Sequence, residues 1–212
     1  MKLKNSKVTH EDVFKDRPIL KFKEGLIIDY LQRISNTLDY AVEEHTNTMA
    51  VRIDLRLPKS MIEDKPNLMK NFFASLDAQI QADLRRKVRG GKTKRRCRLR
   101  YVWVKEKDNA LHYHYHLVLM INKNVYNCLG SFNNNGNLSY KIKTAWVRTL
   151  GVDKKEGEPL VHFPERGVYH LNARADGFHT ECNNLFKRLS YFAKVRTKVF
   201  GAGGRNFGCS LR

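Results

Sequence analysis

The chain has 212 residues, 42% hydrophobic and 29% charged, and its 40 Lys and Arg outweigh 21 Asp and Glu for a formal net charge of +19. That length fits one domain plus an extension and can bury a real core, while a field of that sign gathers polyanions, nucleic acid first among them. The composition excludes a membrane span, for which an apolar run of roughly 20 residues is needed, and the opening MKLKNSKVTHEDVF predicts no secretion signal. The four cysteines, Cys97, Cys128, Cys182 and Cys209, show no CxxC spacing, so neither a zinc ribbon nor a disulfide framework is expected and they read as reduced cytoplasmic thiols.

Before residue 20 the sequence is polar and mixed. GLIIDYLQRISNTLDYAV then places Leu26, Ile27, Tyr30, Leu31, Ile34, Leu38 and Val42 at helical spacing, predicting an amphipathic helix within an N-terminal extension over 1–45. TMAVRIDLRLP alternates, with Met49, Val51, Ile53, Leu55 and Leu57 on one face and Arg52, Asp54 and Arg56 on the other, which predicts a first strand stopped by Pro58. From Asn67 to about Val88 the spacing of Leu68, Phe72, Leu76, Ile80 and Leu84 predicts a helix, ended by Gly90 and Gly91.

A basic hinge, GGKTKRRCRLR, leads into RLRYVWVKE, and KDNA joins that strand to HYHYHLVLMIN in an antiparallel hairpin. SFNNNGN is a loop, LSYKIKTAWVRTL a shorter helix, and LVHF and VYHLN two brief strands around FPERG. A last helix is predicted from about His179 to Lys198, followed by a basic tail over 206–212. The order of elements predicts an α+β fold, a central, largely antiparallel sheet with helices packed mainly on one face.

Period two puts His112, His114, His116, Val118 and Met120 on one side of the hairpin strand, and Tyr113, Tyr115, Leu117, Leu119 and Ile121 on the core side. Imidazoles two residues apart on a strand can converge on one cation, with Glu106 on the preceding strand as the nearest third ligand. Imidazole with carboxylate leaves room on Mg²⁺ or Mn²⁺ for phosphate oxygens, although alternating His and Tyr can also simply decorate a strand. On the last helix, Leu185, Leu189, Phe192 and Val199 share one side, and Lys187, Tyr191, Lys194 and Lys198 fall nearly opposite. A phenol with pKa near ~10 needs help as a nucleophile, and a cation three residues on supplies it.

Taken together, His114-Tyr115-His116 and Tyr191-Phe192-Ala193-Lys194 resemble the HUH endonucleases of rolling-circle replication, which carry His-hydrophobic-His on a central strand and YxxK on a later helix. The stretches LRYVWVKE, HYHLVLMIN and LSYFAKVRTKVFGAGGRNFG resemble more closely the prophage-borne family named after the inovirus gene II replication protein, over roughly residues 45 to 208. The resemblance implies a ferredoxin-like HUH nicking domain over 46–205, with His114, His116 and Glu106 as metal ligands, Tyr191 as nucleophile and Lys194 as its helper. It implies a 5′-phosphotyrosine link to single-stranded or supercoiled DNA in a bacterial cytoplasm, host helicase or polymerase as partners, and no small-molecule substrate. Position 195 is valine, so a single-tyrosine enzyme is expected. The family's first motif, a strand ending in Thr-rich sequence, corresponds to VRIDLRL, which has no threonine.

For DNA binding, Arg96, Arg98 and Arg100 before the hairpin, Lys187 and Lys198 around the nucleophile, and His112 beside the ligand pair are the candidates. Two other readings stand beside this one: a prophage regulator that binds DNA without cutting it, and a zinc hydrolase using HxHxH. The second lacks a carboxylate general base at helical spacing.

Overall fold

Alternation along residues 47–57 sends Met49, Val51, Ile53 and Leu55 to one side of a strand and Thr48, Ala50, Arg52 and Asp54 to the other. In the computed structural model, which describes residues 7–61, 65–107, 113–132, 135–196 and 205–210, this strand lies inside an antiparallel sheet covered on both faces. The elements run β1 (Val8–Thr9), β2 (Val13–Phe14), β3 (Arg17–Pro18), β4 (Leu26–Ile27), α1 (Ile28–Glu44), β5 (Asn47–Arg56), α2 (Leu68–Arg89), β6 (Arg100–Glu106), β7 (His114–Asn122), α3 (Leu138–Leu150), α4 (Lys154–Gly157), β8 (Val161–His162), β9 (Val168–Asn172), α5 (Phe178–Ser190) and β10 (Phe207–Cys209). The main sheet is ordered β10, β6, β7, β5, β8, with β9 also on β5, and its pairings are all antiparallel. β6 and β7 pair as the predicted hairpin strands, and the fold is α+β as its element order implies.

On one face, Met49, Val51, Ile53 and Leu55 with Tyr115, Leu117, Leu119 and Ile121 pack against Phe72, Leu76 and Ile80 of α2 and Ile142 and Trp146 of α3. On the other, Ala50, Val102, Val104, Val118 and Met120 pack against Leu31, Ile34 and Leu38 of α1 and Leu185, Phe186 and Leu189 of α5. Helices therefore cover both faces, which corrects the expectation of one. The physical reason lies in β7: after His116 its run LVLMI is apolar on both sides, and each such side chain left in water forgoes roughly 1.5–3 kcal/mol.

Three further expectations change with this packing. α1, read as part of an extension over 1–45, is a wall of the second core, with Leu31 and Ile34 fully buried, so no break in packing falls at residue 45. Residues 206–212, read as a tail, include β10, an edge strand whose Phe207 stacks on Tyr30 with ring centroids 4.2 Å apart. The last α-helix ends at Ser190, giving way to a 3-10 turn over Tyr191–Ala193 and an extended Lys194 at ψ 137. There the N-terminal segment takes over the backbone: Lys194 bridges to Leu26, Val195 N donates to Gly25 O at 3.2 Å, and Leu20 N donates to Ser190 Oγ at 2.9 Å.

Gly25 can make that contact because it sits at φ +74, and a Cβ there would fall 2.4 Å from Val8 Cγ1 and 2.7 Å from Thr9 O. Gly25→Ala is expected to lower stability by about 1–3 kcal/mol, read from a urea unfolding curve. A midpoint equal to that of the unaltered chain would mean the turn tolerates a side chain.

Candidate active site

His114 and His116 lie on the α1/α5 side of β7, at the end where the apolar residues of that side give out. Antiparallel register sets Glu106 of β6 across from His114, and Asp54 of β5 across from His116. Three neighbouring strands thus present their polar groups together. Ligand atoms of Glu106, His114 and His116 lie within 4.8 Å of one another, so the sequence-predicted donor set is brought together and its two imidazoles and one carboxylate fit a divalent cation.

Glu106 is only 1% exposed, and a carboxylate so buried must be met by local partners. Lys194 Nζ stands 3.0 Å from its Oε2, and His116 Nε2 3.5 Å from the same oxygen. The other nitrogen of His116, Nδ1, lies 2.6 Å from Asp54 Oδ1. Donation from Nδ1 to Asp54 leaves the Nε2 lone pair aimed at the donor cluster, the arrangement in which a carboxylate orients a ligand imidazole.

Asp54 is itself paired with Arg52, whose guanidinium lies 4.9 Å from the Phe192 ring centroid and donates to Ile53 O at 2.6 Å. Burial pushes the Asp54 carboxyl up, but the hydrogen bond with His116 and the charge of Arg52 outweigh it and hold the pKa at about 2. Asp54 is therefore an anion throughout the neutral range. Burial, then the neighbouring His116, hold His114 below its ordinary value of 6.5, against the pull of Glu106 and Asp54. At neutral pH His114 thus offers an unprotonated, metal-competent ring.

The 3-10 turn after α5 delivers Tyr191 to this cluster while its neighbour Phe192 is fully buried in the core beneath. The half-buried Tyr191 ring meets His116 edge-on at 5.8 Å between centroids and Phe22 at 5.9 Å. Lys194 donates to the Tyr191 hydroxyl, and its ammonium lies 3.7 Å from the ring centroid. A phenol, an ammonium, two imidazoles and a carboxylate, remote in sequence, share one place.

Of the residues expected to bind DNA, Lys187 is exposed one turn before Tyr191. Arg96, Arg98 and Arg100 sit at the opposite end of β6, where all three reach the Glu44 carboxylate at 3.1, 3.4 and 3.3 Å. His112 and Lys198 lie outside the described residues.

A family model described as the YagK/YfjJ C-terminal domain matches residues 9–210. The chain belongs to the YagK/YfjJ C-terminal domain family. It is 36% identical over 193 residues to the uncharacterized protein YagK of Escherichia coli (strain K12), spanning 87% of this chain and 93% of that protein. To the uncharacterized protein YfjJ of the same strain it is 35% identical over 195 residues, spanning 85% and 93%. No solved structure matches it. The YagK/YfjJ match takes in α1, most of the short strands before it and β10, the same elements that pack with the rest of the sheet.

Several members of the site carry little signal in the sequence. Alternation puts Asp54 and Arg52 on the polar face of their strand and names no role for them, yet a charged pair on a strand with neighbours on both edges requires a partner, and that is the available signal. Phe22 and Gly25 carried no local signal. His162 has no local signal either, and its Nδ1 stands 3.7 Å from Asp54 Oδ2. Asp54→Asn is expected to weaken Mn²⁺ binding roughly 10–100-fold, the usual effect of losing the partner that orients a ligand. Calorimetric titration with Mn²⁺ measures it, and an unchanged affinity would remove Asp54 from the site.

Proposed function

We propose that the protein is a metal-dependent, single-tyrosine DNA endonuclease and strand transferase of the HUH class, built on a ferredoxin-like sheet, that nicks DNA to initiate rolling-circle replication of a phage, prophage or plasmid-like element. The observation that carries this reading is the meeting of Tyr191 and Lys194 with Glu106, His114 and His116, 5.8 Å separating the Tyr191 and His116 ring centroids. Two imidazoles and a carboxylate alone also suit ferrous iron. The phenol and ammonium beside them favour transfer of a phosphoryl group.

Glu106, His114 and His116 would hold Mg²⁺ or Mn²⁺, which supplies Lewis acidity toward a phosphate oxygen when bound. Lys194, hydrogen-bonded to the Tyr191 hydroxyl, would face the negative charge that develops on the Tyr191 oxygen as it attacks and its proton passes to solvent. The Tyr191 oxygen attacks phosphorus, the bond from phosphorus to the 3′ oxygen breaks, and a 5′-phosphotyrosine and a free 3′-hydroxyl result. The link keeps the phosphodiester energy, so no nucleoside triphosphate is consumed and a second transfer can close the strand. Lys187 on the exposed flank of α5 and the exposed Arg96 and Arg98 supply phosphate contacts, while Arg100 is buried against Glu44 and serves the fold.

The reading places the protein in a bacterial cytoplasm with single-stranded or supercoiled DNA as substrate and host helicase and polymerase as partners. No helix among the described residues is long and apolar enough to cross a membrane. Incubation with Mn²⁺ and supercoiled DNA of the parent element tests it: a covalent protein–DNA adduct mapped to Tyr191 is the expected product, and a regulator that only binds DNA gives none.

A further inference from the structure

Charge is concentrated at the end of the sheet remote from Tyr191. Ten of the sixteen residues from 85 to 100 are Lys or Arg, and none is acidic or aromatic. The stretch covers the last turn of α2, the loop after it and the first residue of β6. Register puts Arg100 across from Met120 and Glu106 across from His114, so six residues of strand, roughly 20 Å, separate this end from the donor cluster.

The loop is held in place with its charges outward. Cys97 and Leu99 are buried as anchors, Asn122 Nδ2 donates to Arg96 O at 2.8 Å, Gln81 Nε2 to Cys97 O at 3.1 Å, and Arg98 N to His45 Nε2 at 3.1 Å. Between α2 and the residues after β7 lies a groove of about 400 Å³, lined by Leu84, Lys87, Lys92, Arg95, Asn124 and Val125 among others. Glu44 answers Arg96, Arg98 and Arg100, and Lys87 answers Asp83. Lys92, Lys94 and Arg95 are exposed, and no ion pair of theirs occurs among the described residues. Like charges packed so closely on a fixed loop repel one another, and a polyanion relieves the repulsion.

The kind of polyanion follows from what the stretch lacks. Sites for single strands combine cations with aromatic rings on which bases stack, whereas Lys and Arg without aromatics contact a phosphate backbone and read no bases. We propose that this groove and its loop, through Lys92, Lys94 and Arg95, anchor the backbone of duplex DNA flanking the strand offered to Tyr191, as a site separate from the cutting site. The separation of roughly 20 Å corresponds to about six base pairs of B-DNA at ~3.4 Å each. The choice of DNA rests on the nuclease reading; the anchoring itself does not depend on Tyr191.

The test compares the full chain with the triple variant Lys92→Ala, Lys94→Ala, Arg95→Ala, using fluorescence anisotropy on a duplex of about 30 base pairs between about 50 and 200 mM KCl. The variant is expected to bind roughly 10–100-fold more weakly, with a salt slope smaller by about 2–3, since each phosphate contact contributes ~0.9 to the slope. Adduct formation with a short single-stranded oligonucleotide stays as in the unaltered chain. The charge-conserving triple, Lys92→Arg, Lys94→Arg, Arg95→Lys, keeps the original affinity, so a loss from misfolding is recognised. Unaltered duplex binding by the alanine variant overturns the proposal, as does tighter binding of the unaltered chain to duplex RNA or to phosphatidylserine vesicles. Salt-dependent duplex binding lost in the alanine variant, with no adduct on any strand, sinks the nuclease reading and leaves the anchor standing.

Discussion

Tyr191→Phe is expected to abolish the covalent adduct and to slow nicking by a factor on the order of 10⁴ or more, the scale on which losing a covalent nucleophile acts. The substitution removes one oxygen and keeps the ring, whose contacts with Phe22 and His116 are edge-on and do not involve the hydroxyl. The fold and the donor cluster therefore survive. Lys194 loses one acceptor but retains Glu106 at 3.0 Å, so no buried charge is stranded. Lys194→Ala is a poorer probe, because it would leave Glu106 without its nearest cation and cost stability as well as rate. A labelled oligonucleotide carried onto the protein in a denaturing gel, followed by mass mapping of the linked peptide, reads the outcome. Undiminished nicking by Tyr191→Phe, or an adduct on another tyrosine, removes Tyr191 from the chemistry; Mn²⁺ binding should be unaffected in either case.

Much of the frame was legible in the residues, and the reasons differ from element to element. The strands β5, β6 and β7 announce themselves because alternation is a local property, and the same period-two rule put His114 and His116 on one face. Glu106 followed from pairing two strands in a hairpin. The end of α5 was not legible, because the reason the helix stops at Ser190 is a non-local bridge from Leu26 and hydrogen bonds to Leu20 and Gly25, about 170 residues away. A helix continued to Lys198 by periodicity alone misses the turn that presents Tyr191. Placement of α1 on the sheet was half legible: its apolar stripe demanded a partner, and the doubly apolar run in β7 offered one, but matching the two requires the topology. Asp54 is the instructive omission, since burial of a charged face implied a network and only register names its partner as His116.

The tyrosine between His114 and His116 ties the site to the other core. Tyr115 is 1% exposed on the α2/α3 face and meets Trp146 at 6.1 Å between ring centroids, while Trp146 is fully buried, packs edge-on to Phe72 at 5.7 Å and donates Nε1–H to Arg56 O at 3.0 Å. Trp146→Ala is therefore expected to cost about 3–5 kcal/mol of stability, the range for truncating a large core aromatic, because the cavity is closed in by α2, α3 and β7 and cannot simply collapse. It also leaves the carbonyl of Arg56, the last residue of β5, without its indole donor. Trp146→Phe keeps most of the volume and loses the donor, so it should lose distinctly less. Equilibrium urea unfolding measures both. Because β7 carries Tyr115 on one face and His114 and His116 on the other, loss of the Trp146 wall should loosen the strand end and weaken Mn²⁺ binding, with no ligand atom removed. A Trp146→Ala protein whose stability falls by less than about 1 kcal/mol would show that the α2/α3 layer does not brace the histidine strand, and the rigidity of the donor cluster would then have to come from Asp54 and Arg52 alone.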